Sequence, residues 1–497
     1  METIHSQDNT QTYIARHVLT ICLSLILGSL LMLSACTMPG GNQKVNKIRL
    51  SIQNTLPIPR KNVPIVLTGV QLRKVNPDFS FKAYSVTTKI AQREVMIPAQ
   101  ADDLDYDGEP DQLCFLLSLE AEETKEISIL YEPTTKLTFT LDFNKQTRAA
   151  ILPELNAVAA MESNLIAYLL EPNGAFIAYG KKRVELFSMD AMFQYELDPQ
   201  RPLSPELRQH FESNDISLSQ KIQMIQIEVQ KPDQRWVVRD IENQENYFIR
   251  KSYDSEVSNL GQETQTDGQL NVVKSIGLSL NALLDLETTE MVALNPREGL
   301  IGCGGIALWH KGKAEMIPLP VEGDYVRILA DGAIRSVVQR IVPEWEINGE
   351  TRRLTSTTFI YGENPWIEHY VHIDGNLPTG YAILTGIPHL KGTYKEDREQ
   401  GWIWSWGTDL SGIDTLGVAL IVPAGRAPDN TRMPENTDLL PVILTPDTDG
   451  RLNYRTLVIW GGGIDGIETE AEFVQYVQDT TTTLKIPPHI KFLPKEE

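Results

Sequence analysis

The chain has 497 residues, and its 45 Lys and Arg against 66 Asp and Glu give a formal net charge of −21. Such an acidic chain repels phosphate backbones, and no basic stripe with interleaved aromatic residues offsets the charge, which argues against nucleic acid as a partner. The length allows two or three domains with a substantial core.

The first predicted element is an export signal. Residues 18–35 are apolar almost throughout and follow Arg16, which is the order of a secretory signal, and the run is too short to favour a permanent span. Residues 33–36 resemble the lipobox of bacterial lipoproteins, which implies cleavage before a lipidated Cys36. The alternative is an ordinary cleaved signal with a chance cysteine. We therefore predict an extracytoplasmic protein of the cell envelope, at the outer membrane or facing the periplasm, that contacts the membrane through its lipid only.

The rest of the chain is predicted to be mainly β. Short alternating runs separated by turn clusters are typical of antiparallel strands. We predict a small N-terminal β-sandwich followed by a large antiparallel β-sandwich with few helices. The predicted parts are a signal peptide at 1–35, a tether at 36–46, the small sandwich at 47–146, a linker or connecting helix at 147–162, and the large domain at 163–497.

Two further features concern the backbone. Residues 243–297 are polar and weakly patterned, and we interpret them as long loops. Thr469 followed by Glu472 forms a capping-box pattern that predicts a helix over 470–478.

An acidic stretch between two predicted strands is a candidate cation site. Asp103, Asp105, Asp107 and Asp111 alternate with other residues around Gly108. A hard cation such as Ca²⁺ needs several converging oxygens, and glycine permits the sharp turn. A hairpin turn rich in Asp and Gly explains the same composition without a metal. A structural calcium is thus one interpretation, and no other cofactor is indicated.

A tryptophan stripe is a candidate sugar platform. If residues 401–407 form a strand, its period of two places Trp402, Trp404 and Trp406 on one face. Sugars bind such surfaces because their C–H faces stack on aromatic rings. The alternative is that the three indoles lie in the core between two layers.

A second cluster joins stacking groups to proton carriers. Alternation places Trp366, Glu368, Tyr370 and His372 on one face of a predicted strand, while His369 lies among apolar residues on the other. A face with these side chains supplies stacking, a carboxylate and an imidazole within one strand. His369 is interpreted as structural.

Cysteines and glycine runs have structural interpretations. Cys114 and Cys303 lie in apolar stretches, which predicts buried free thiols, with a disulfide between them as the alternative. The glycine-rich runs at 302–305 and 461–463 indicate bulges or tight crossings rather than phosphate cradles.

The chain resembles the domain-of-unknown-function family numbered 4861 over nearly its whole mature length. The matching stretches are residues 105–113, 122–125, 302–309, 331–335 and 345–349. The resemblance implies export by a glycan-degrading bacterium and a second half similar to the galactose-mutarotase type of β-sandwich. It therefore implies a carbohydrate context. One departure is that residues 253–256 replace an expected Tyr-His pair, so this member lacks activity if that pair is catalytic in its relatives.

Two functions of different class follow. The first is a polysaccharide lyase or glycoside hydrolase on uronate-containing glycans. Elimination needs a base and a group that neutralises the carboxylate, and hydrolysis needs two facing carboxylates, for which Glu363, Glu368 and Asp409 are candidates. The candidate catalytic residues are Tyr361, His372, Glu368 and Arg353. The candidate substrate-binding residues are Trp366, Trp402, Trp404, Trp406, His389 and Trp309. The second function is a non-catalytic glycan-binding surface lipoprotein that binds polysaccharide or oligosaccharide.

Overall fold

The structure is a computed structural model in which the chain divides into two compact units, Met1–Asn46 and Lys47–Glu497. It describes residues 46–91, 93–133, 143–151, 159–181, 184, 186, 301–313, 315–320, 324–408, 415–422, 439–461 and 467–494, and strand backbone within 195–293. The predicted signal, Cys36 and the diverged loop at 253–256 lie outside these residues. Neither helix in the described part of the chain is long and apolar enough to cross a membrane.

The N-terminal part folds into two small sheets. Its elements are β1 (Asn46–Gln53), β2 (Arg60–Thr68), α1 (Gly69–Val75), β3 (Tyr84–Ile90), β4 (Arg93–Ile97), β5 (Ala99–Asp102), β6 (Gln112–Leu119) and β7 (Thr124–Tyr131). One sheet has the order β2-β6-β5. The other has the order β1-β7-β3-β4, and its edge is completed by the last strand of the chain, β31 (His489–Phe492). Apolar residues that alternate along both sheets, such as Leu50, Phe115 and Ile129, form a core between them.

The middle of the chain continues as strands. Its elements are β8 (Thr147–Ala150), β9 (Ala159–Ser163), β10 (Ile166–Leu170), β11 (Phe176–Lys181), β12 (Tyr195–Leu197), β13 (Ile225–Gln230), β14 (Arg235–Asp240), β15 (Asn246–Lys251), β16 (Asn259–Leu260), β17 (Ser275–Leu278) and β18 (Met291–Ala293). The orders are β18-β11-β10-β9-β8 and β12-β13-β14-β15-β17-β16.

Two sequence-based interpretations of this region are wrong. The linker or connecting helix expected at 147–162 contains β8 and most of β9 instead. The sequence predicts loops at 243–297, but the residues of this range that the structure describes form β15 to β18. All five residues of β9 are buried, so the strand shows no alternation, and its small alanines fit between two covered faces.

The C-terminal part forms the large sandwich. Its elements are β19 (Ala307–His310), β20 (Glu315–Pro318), β21 (Tyr325–Asp331), β22 (Arg335–Ile347), β23 (Glu350–Tyr361), β24 (Trp366–Ile373), β25 (Tyr381–Pro388), β26 (Lys391–Asp397), β27 (Trp402–Thr408), β28 (Leu416–Ile421), β29 (Leu439–Leu444), β30 (Arg451–Trp460) and α2 (Glu470–Lys485). An eight-stranded antiparallel sheet has the order β21-β22-β23-β24-β30-β28-β27-β26. A four-stranded sheet has the order β20-β19-β25-β29. The predicted mainly β class with packed antiparallel sheets is confirmed.

The eight-stranded sheet has two covered faces. Its inner face packs on two sheets, the five-stranded sheet β18-β11-β10-β9-β8 and the four-stranded sheet β20-β19-β25-β29. Ile360, Ile367 and Val458 are among the residues of this inner face. Its outer face is covered in part by β6, through Cys114, and by α2, through Phe473. The N-terminal sandwich and α2 thus lie on the face of the sheet that carries the predicted site residues.

Helix α2 begins as the sequence predicts. The Thr469 side chain accepts from the Glu472 N–H, and the Glu472 carboxylate accepts from the Thr469 N–H. The helix continues to Lys485 through a run of threonines, two of which donate back to carbonyls four residues earlier, Thr481 to Val477 and Thr482 to Gln478.

The glycines at 302–305 allow a tight crossing in the core. A Cβ atom on Gly304, whose φ is +82°, would lie 1.9 Å from Thr456 Oγ1, and one on Gly302 would lie 2.3 Å from the Phe176 carbonyl oxygen. This close approach is why the run is glycine-rich. Beside it, His369 is fully buried and stacks on Tyr454 with ring centroids 4.5 Å apart. Cys303 is also buried and, like Cys114, carries a free thiol.

Candidate functional site

Strand register places the candidate residues on the outer face of the eight-stranded sheet. In β24, Glu368 pairs with Phe359 of β23 and Arg455 of β30, and His372 pairs with Thr355 and Arg451. Because directly opposed residues of a sheet point to the same side, these rows share the outer face. The N-terminal sandwich and α2 divide that face into a covered half and an open half.

The covered half contains an ion pair beside an indole. Arg455 Nε donates to Glu368 Oε1 over 3.0 Å, and both side chains are largely buried. The Arg455 guanidinium also lies over the Trp366 ring, 4.0 Å from its centroid. Such a cation–π contact is strengthened by burial. One face of Trp366 is therefore already occupied by a side chain of the protein, and the residue is only 4% exposed.

Tyr361, one of the candidate catalytic residues, lies too deep in the protein to act as a base. It is buried, and its ring lies 5.4 Å from that of Trp366. Burial, together with the nearby Glu368 carboxylate, raises the pKa of Tyr361 well above its ordinary value. A buried phenol of this kind neither reaches a substrate nor gives up its proton near neutral pH.

The open half is an exposed polar surface, which we call the open face. It comprises Arg353, near the start of β23, and the polar outward side chains of two cross-strand rows, one of which also contains the buried Ile341. The polar members of the rows are Tyr325, Arg327, Gln339, Thr355, Thr357, Tyr370, His372, Arg451 and Asn453. Two of the predicted catalytic residues, His372 and Arg353, lie here. The other two, Glu368 and Tyr361, lie in the covered half, so the predicted quartet is not assembled in one place.

Side chains on the open face orient one another. His372 Nδ1 lies 3.4 Å from Asp374 Oδ1, and Arg353 Nη2 donates to the Tyr325 hydroxyl over 3.4 Å. Tyr370 is 44% exposed. Burial of part of its ring and the neighbouring Glu368 carboxylate raise its pKa. An exposed phenol, an imidazole and a guanidinium are thus presented together.

Sequence reasoning missed the electrostatic character of this surface. Arg327, Arg353 and Arg451 lie on it, and no carboxylate stands in its two rows among the described residues. Arg327 lies over the Tyr106 ring of the acidic loop, and Arg451 lies 4.0 Å from Asp449. This composition contrasts with the net charge of −21 for the chain. The signal was present in the alternation of each strand, but only the strand order shows that three arginines from three different strands share one surface.

The tryptophan stripe is not an exposed platform. Trp402, Trp404 and Trp406 do share one face, but they are 7%, 4% and 7% exposed because α2 lies over them. Phe473 of α2 has its ring centroid 5.2 Å from that of Trp406 and 6.3 Å from that of Trp404. The core alternative is therefore the right one, since burying indoles under an amphipathic helix stabilises both elements.

Two other predicted binding residues lie away from the open face. Trp309 is buried in a separate apolar cluster of the four-stranded sheet, with Leu384 and Ile443. His389 precedes β26, at the opposite edge of the eight-stranded sheet, and contacts the Tyr394 ring with centroids 4.8 Å apart. Asp409 lies outside the described residues.

The acidic loop brings three of its four predicted ligands together. Oxygens of Asp103, Asp105 and Asp111 lie within 4.8 Å of one another, and Asp107 is not part of this group. These oxygens suit a hard cation. They also accept backbone N–H donors, as Asp111 Oδ2 does from Leu104 over 2.7 Å, which keeps the turn closed without a metal. The calcium interpretation stays a prediction.

A cleft lies at one end of the covered half. It has a volume of about 710 Å³ and is bounded by the chain leading into β2, the turn between β23 and β24, and the C-terminal half of α2. Its polar lining includes Arg60, Asn62, Asn164, Glu363, Asn364, Arg455 and Asp479. Glu363 is a candidate from the sequence alone, but its closeness to Asp479, over a hundred residues away, follows only from the fold.

The family described as "Domain of unknown function (DUF4861)" matches residues 52–167 and 300–490. No curated protein matches the sequence. Two solved structures are weakly similar to this chain, a protein in the glycosyl hydrolase family 38 from Enterococcus faecalis and an alpha-mannosidase from Enterococcus faecalis V583. The first has a TM-score of 0.39 and 9% identity, covering 91% of this chain and 48% of that one. The second has a TM-score of 0.37 and 9% identity, covering 91% and 46%. The chain spans about half the length of these two structures.

Proposed function

The chain belongs to the DUF4861 family, and we propose that it is a lipid-anchored extracytoplasmic enzyme that cleaves a uronate-containing polysaccharide by β-elimination on the open face. The observation that carries the proposal is that Tyr370 and Arg353 are exposed and His372 is half-exposed on one sheet surface. These three types are the ones that elimination beside a carboxylate requires.

The chemistry assigns a role to each group. An arginine, Arg353 or Arg451, pairs with the uronate carboxylate and makes the neighbouring C5 proton more acidic. Neutral His372, oriented by Asp374, takes that proton, and the C5 electron pair forms the C4–C5 double bond as the C4–O4 bond breaks. The Tyr370 hydroxyl gives its proton to O4. The proton on His372 returns to Tyr370 through solvent, which restores both groups.

Charge supports a uronate over a neutral glycan at this surface. The arginines of the open face, of which Arg353 faces the Tyr325 hydroxyl and no carboxylate among the described residues, favour an anionic chain on a protein with a net charge of −21. Exposed Tyr325 and Tyr370 offer ring faces and edges for the C–H surfaces of sugars between the carboxylates. Hydrolysis has less support here, because the carboxylates of Asp374 and Asp449 beside this half face His372 and Arg451 and do not form a facing pair of carboxylates.

The second candidate is a non-catalytic glycan-binding lipoprotein. The observation that favours it is the shape of the open face, an exposed sheet surface whose residues are absent from the lining of the large cleft. Catalysis usually takes place where water is excluded, whereas a long polysaccharide can bind on an open surface.

The test is incubation of the purified chain with plant and algal polysaccharides, followed by ultraviolet absorbance of the unsaturated uronate. We expect cleavage, and losses of 10²-fold or more for His372→Ala and for Tyr370→Phe, as is typical for removal of a general base or acid. The matched control is Tyr394→Phe, an exposed tyrosine on β26. Binding without new chain ends would support the second candidate, and unchanged cleavage by both variants would refute the assigned roles.

The proposed lipid anchor at Cys36 is tested by a separate experiment. We expect the wild-type chain to sediment with bacterial membranes and to incorporate labelled fatty acid, while Cys36→Ser does neither. Membrane-bound, labelled Cys36→Ser protein would contradict the lipoprotein assignment.

A further inference from the structure

We propose that the cleft of about 710 Å³ is a second binding site, for a neutral, hydroxyl-rich ligand such as a short uncharged oligosaccharide. This goes beyond the proposed function, because the cleft is separate from the open face and its ligand is of a different charge class. Its volume falls within the usual range for small-molecule sites, and it lies where three structural elements meet, as such sites often do.

The walls of the cleft are fixed in place. Arg60, which begins β2, is 2% exposed and donates to the Thr483 carbonyl over 3.1 Å and to the Ile486 carbonyl. These carbonyls end α2 and would otherwise lack donors. Arg60 Nε also donates to Asn54 over 2.7 Å. The cleft therefore has a rigid junction between the N-terminal sandwich and α2 on one side.

The cations of the cleft are mostly engaged within the protein. Arg60 donates hydrogen bonds to carbonyls at the end of α2, and Arg455 forms an ion pair with Glu368. Of the cations that line the cleft, this leaves Lys61, against the two carboxylates of Glu363 and Asp479. Arg60 and Lys61 balance the charges of Glu363 and Asp479, so the lining carries no net charge that would hold an anion or a cation. Its amides, its carboxylates and Lys61 can instead pair with the hydroxyl groups of a neutral ligand.

The backbone of Glu363, which lines the cleft, is held in a conformation of unfavourable energy. Its φ is +55°, in the left-handed region that residues with a side chain rarely adopt. Asn164 Oδ1 accepts from the Glu363 N–H over 2.7 Å, and Asn62 Nδ2 donates to Glu363 Oε2 over 3.0 Å. Two amides thus fix the backbone and one carboxylate oxygen, which leaves Oε1 for a ligand.

A metal ion does not explain the same lining. In the described part of the chain, the group of three or more metal-ligating side chains with converging atoms is Asp103, Asp105 and Asp111 in the acidic loop. Glu363 and Asp479 are not part of such a group. The apolar part of the lining, which includes the partly buried Ile467 and Tyr476, suits the C–H faces of a sugar ring.

The experiment uses the purified full chain on an array of neutral and uronate-containing oligosaccharides, followed by titration calorimetry with the best neutral one. We expect Glu363→Gly to bind it at least ten-fold more weakly with an unchanged or higher melting temperature, since glycine accepts a φ of +55° freely. Asp479→Asn should also weaken binding. The matched control is Glu122→Gly, which removes a carboxylate from another residue of positive φ, +57°, outside the cleft.

Each outcome decides the proposal. No neutral ligand on the array, or equal affinity for wild type, Glu363→Gly and Asp479→Asn, overturns it. Neutral binding lost in these two variants and kept in Glu122→Gly supports it. A chain that binds the neutral ligand but cleaves no uronate refutes the proposed function alone, and the reverse result refutes the cleft alone.

Discussion

Arg335 and Asp102 form a buried ion pair between parts of the chain that are 233 residues apart. Arg335 Nε donates to Asp102 Oδ2 over 2.7 Å, and the two side chains are 1% and 3% exposed. Asp102 ends β5 of the N-terminal sandwich, and Arg335 begins β22 of the eight-stranded sheet. Gln100, also on β5, accepts from the Arg335 N–H over 3.1 Å. The pair therefore joins the N-terminal sandwich to the sheet that carries the open face.

Removing one partner of the Arg335–Asp102 ion pair should destabilise the fold. Asp102→Asn leaves the Arg335 guanidinium buried without its counter-charge, and we expect a loss of about 3–5 kcal/mol in the free energy of unfolding. The control is Glu94→Gln, whose ion pair with Lys47 is exposed, with an expected loss of under about 1 kcal/mol. Urea denaturation measures the free energy of unfolding of both variants. A small and equal loss for the two substitutions would contradict a stabilising role of the Arg335–Asp102 ion pair.

The substitution Trp404→Ala should lower the stability of the fold. Because Trp404 lies between β27 and α2, its removal leaves a cavity under the helix and should cost about 3–5 kcal/mol. Tyr394→Ala, on the adjacent strand β26 but exposed, should change stability by less than about 0.5 kcal/mol. Thermal melts of both variants provide the measurement. A fully stable Trp404→Ala protein would mean that the indole is not part of the core.

His369 should make the fold sensitive to acid. Burial lowers its pKa from 6.5 to about 3. Below pH 6.5 the unfolded chain binds a proton that the folded chain refuses, so stability is complete above that pH and falls by at most about 1.4 kcal/mol per pH unit towards pH 3. The measurement is the free energy of unfolding at pH 7 and pH 5. His369→Gln should reduce this difference by about 2 kcal/mol, and the exposed His489→Gln should not. Equal slopes for all three proteins would contradict the assignment.

The acidic loop should depend on Asp111. Its Oδ2 accepts from the backbone of Leu104 and Asp105, so Asp111→Asn should weaken the turn with or without metal. If the loop binds calcium, as the sequence predicts, excess calcium raises the melting temperature of the wild type relative to a chelator, and not that of Asp111→Asn. Asp107→Asn is the matched control, because Asp107 lies outside the converging group. An identical melting temperature of the wild type with calcium and with chelator would end the calcium interpretation.

Local chemistry by itself determined several features of this protein. The alternation of apolar and polar residues indicated the strands of the large sandwich, since a strand reveals its two faces within a few residues. The Thr469 and Glu472 capping box marked the start of α2 for the same reason, because both partners lie within one turn. The face shared by Trp366, Glu368, Tyr370 and His372 also followed from one strand alone.

What covers each face was decided by the tertiary structure. The stripe of Trp402, Trp404 and Trp406 has the same alternation whether solvent or α2 lies over it, and the helix that buries it begins about seventy residues later. The same holds for Tyr361 and Tyr370, which lie on the same outer face, one covered by the N-terminal sandwich and one open. Burial and cross-strand neighbours arise from contacts between distant segments, and a local pattern contains no information about which segments meet.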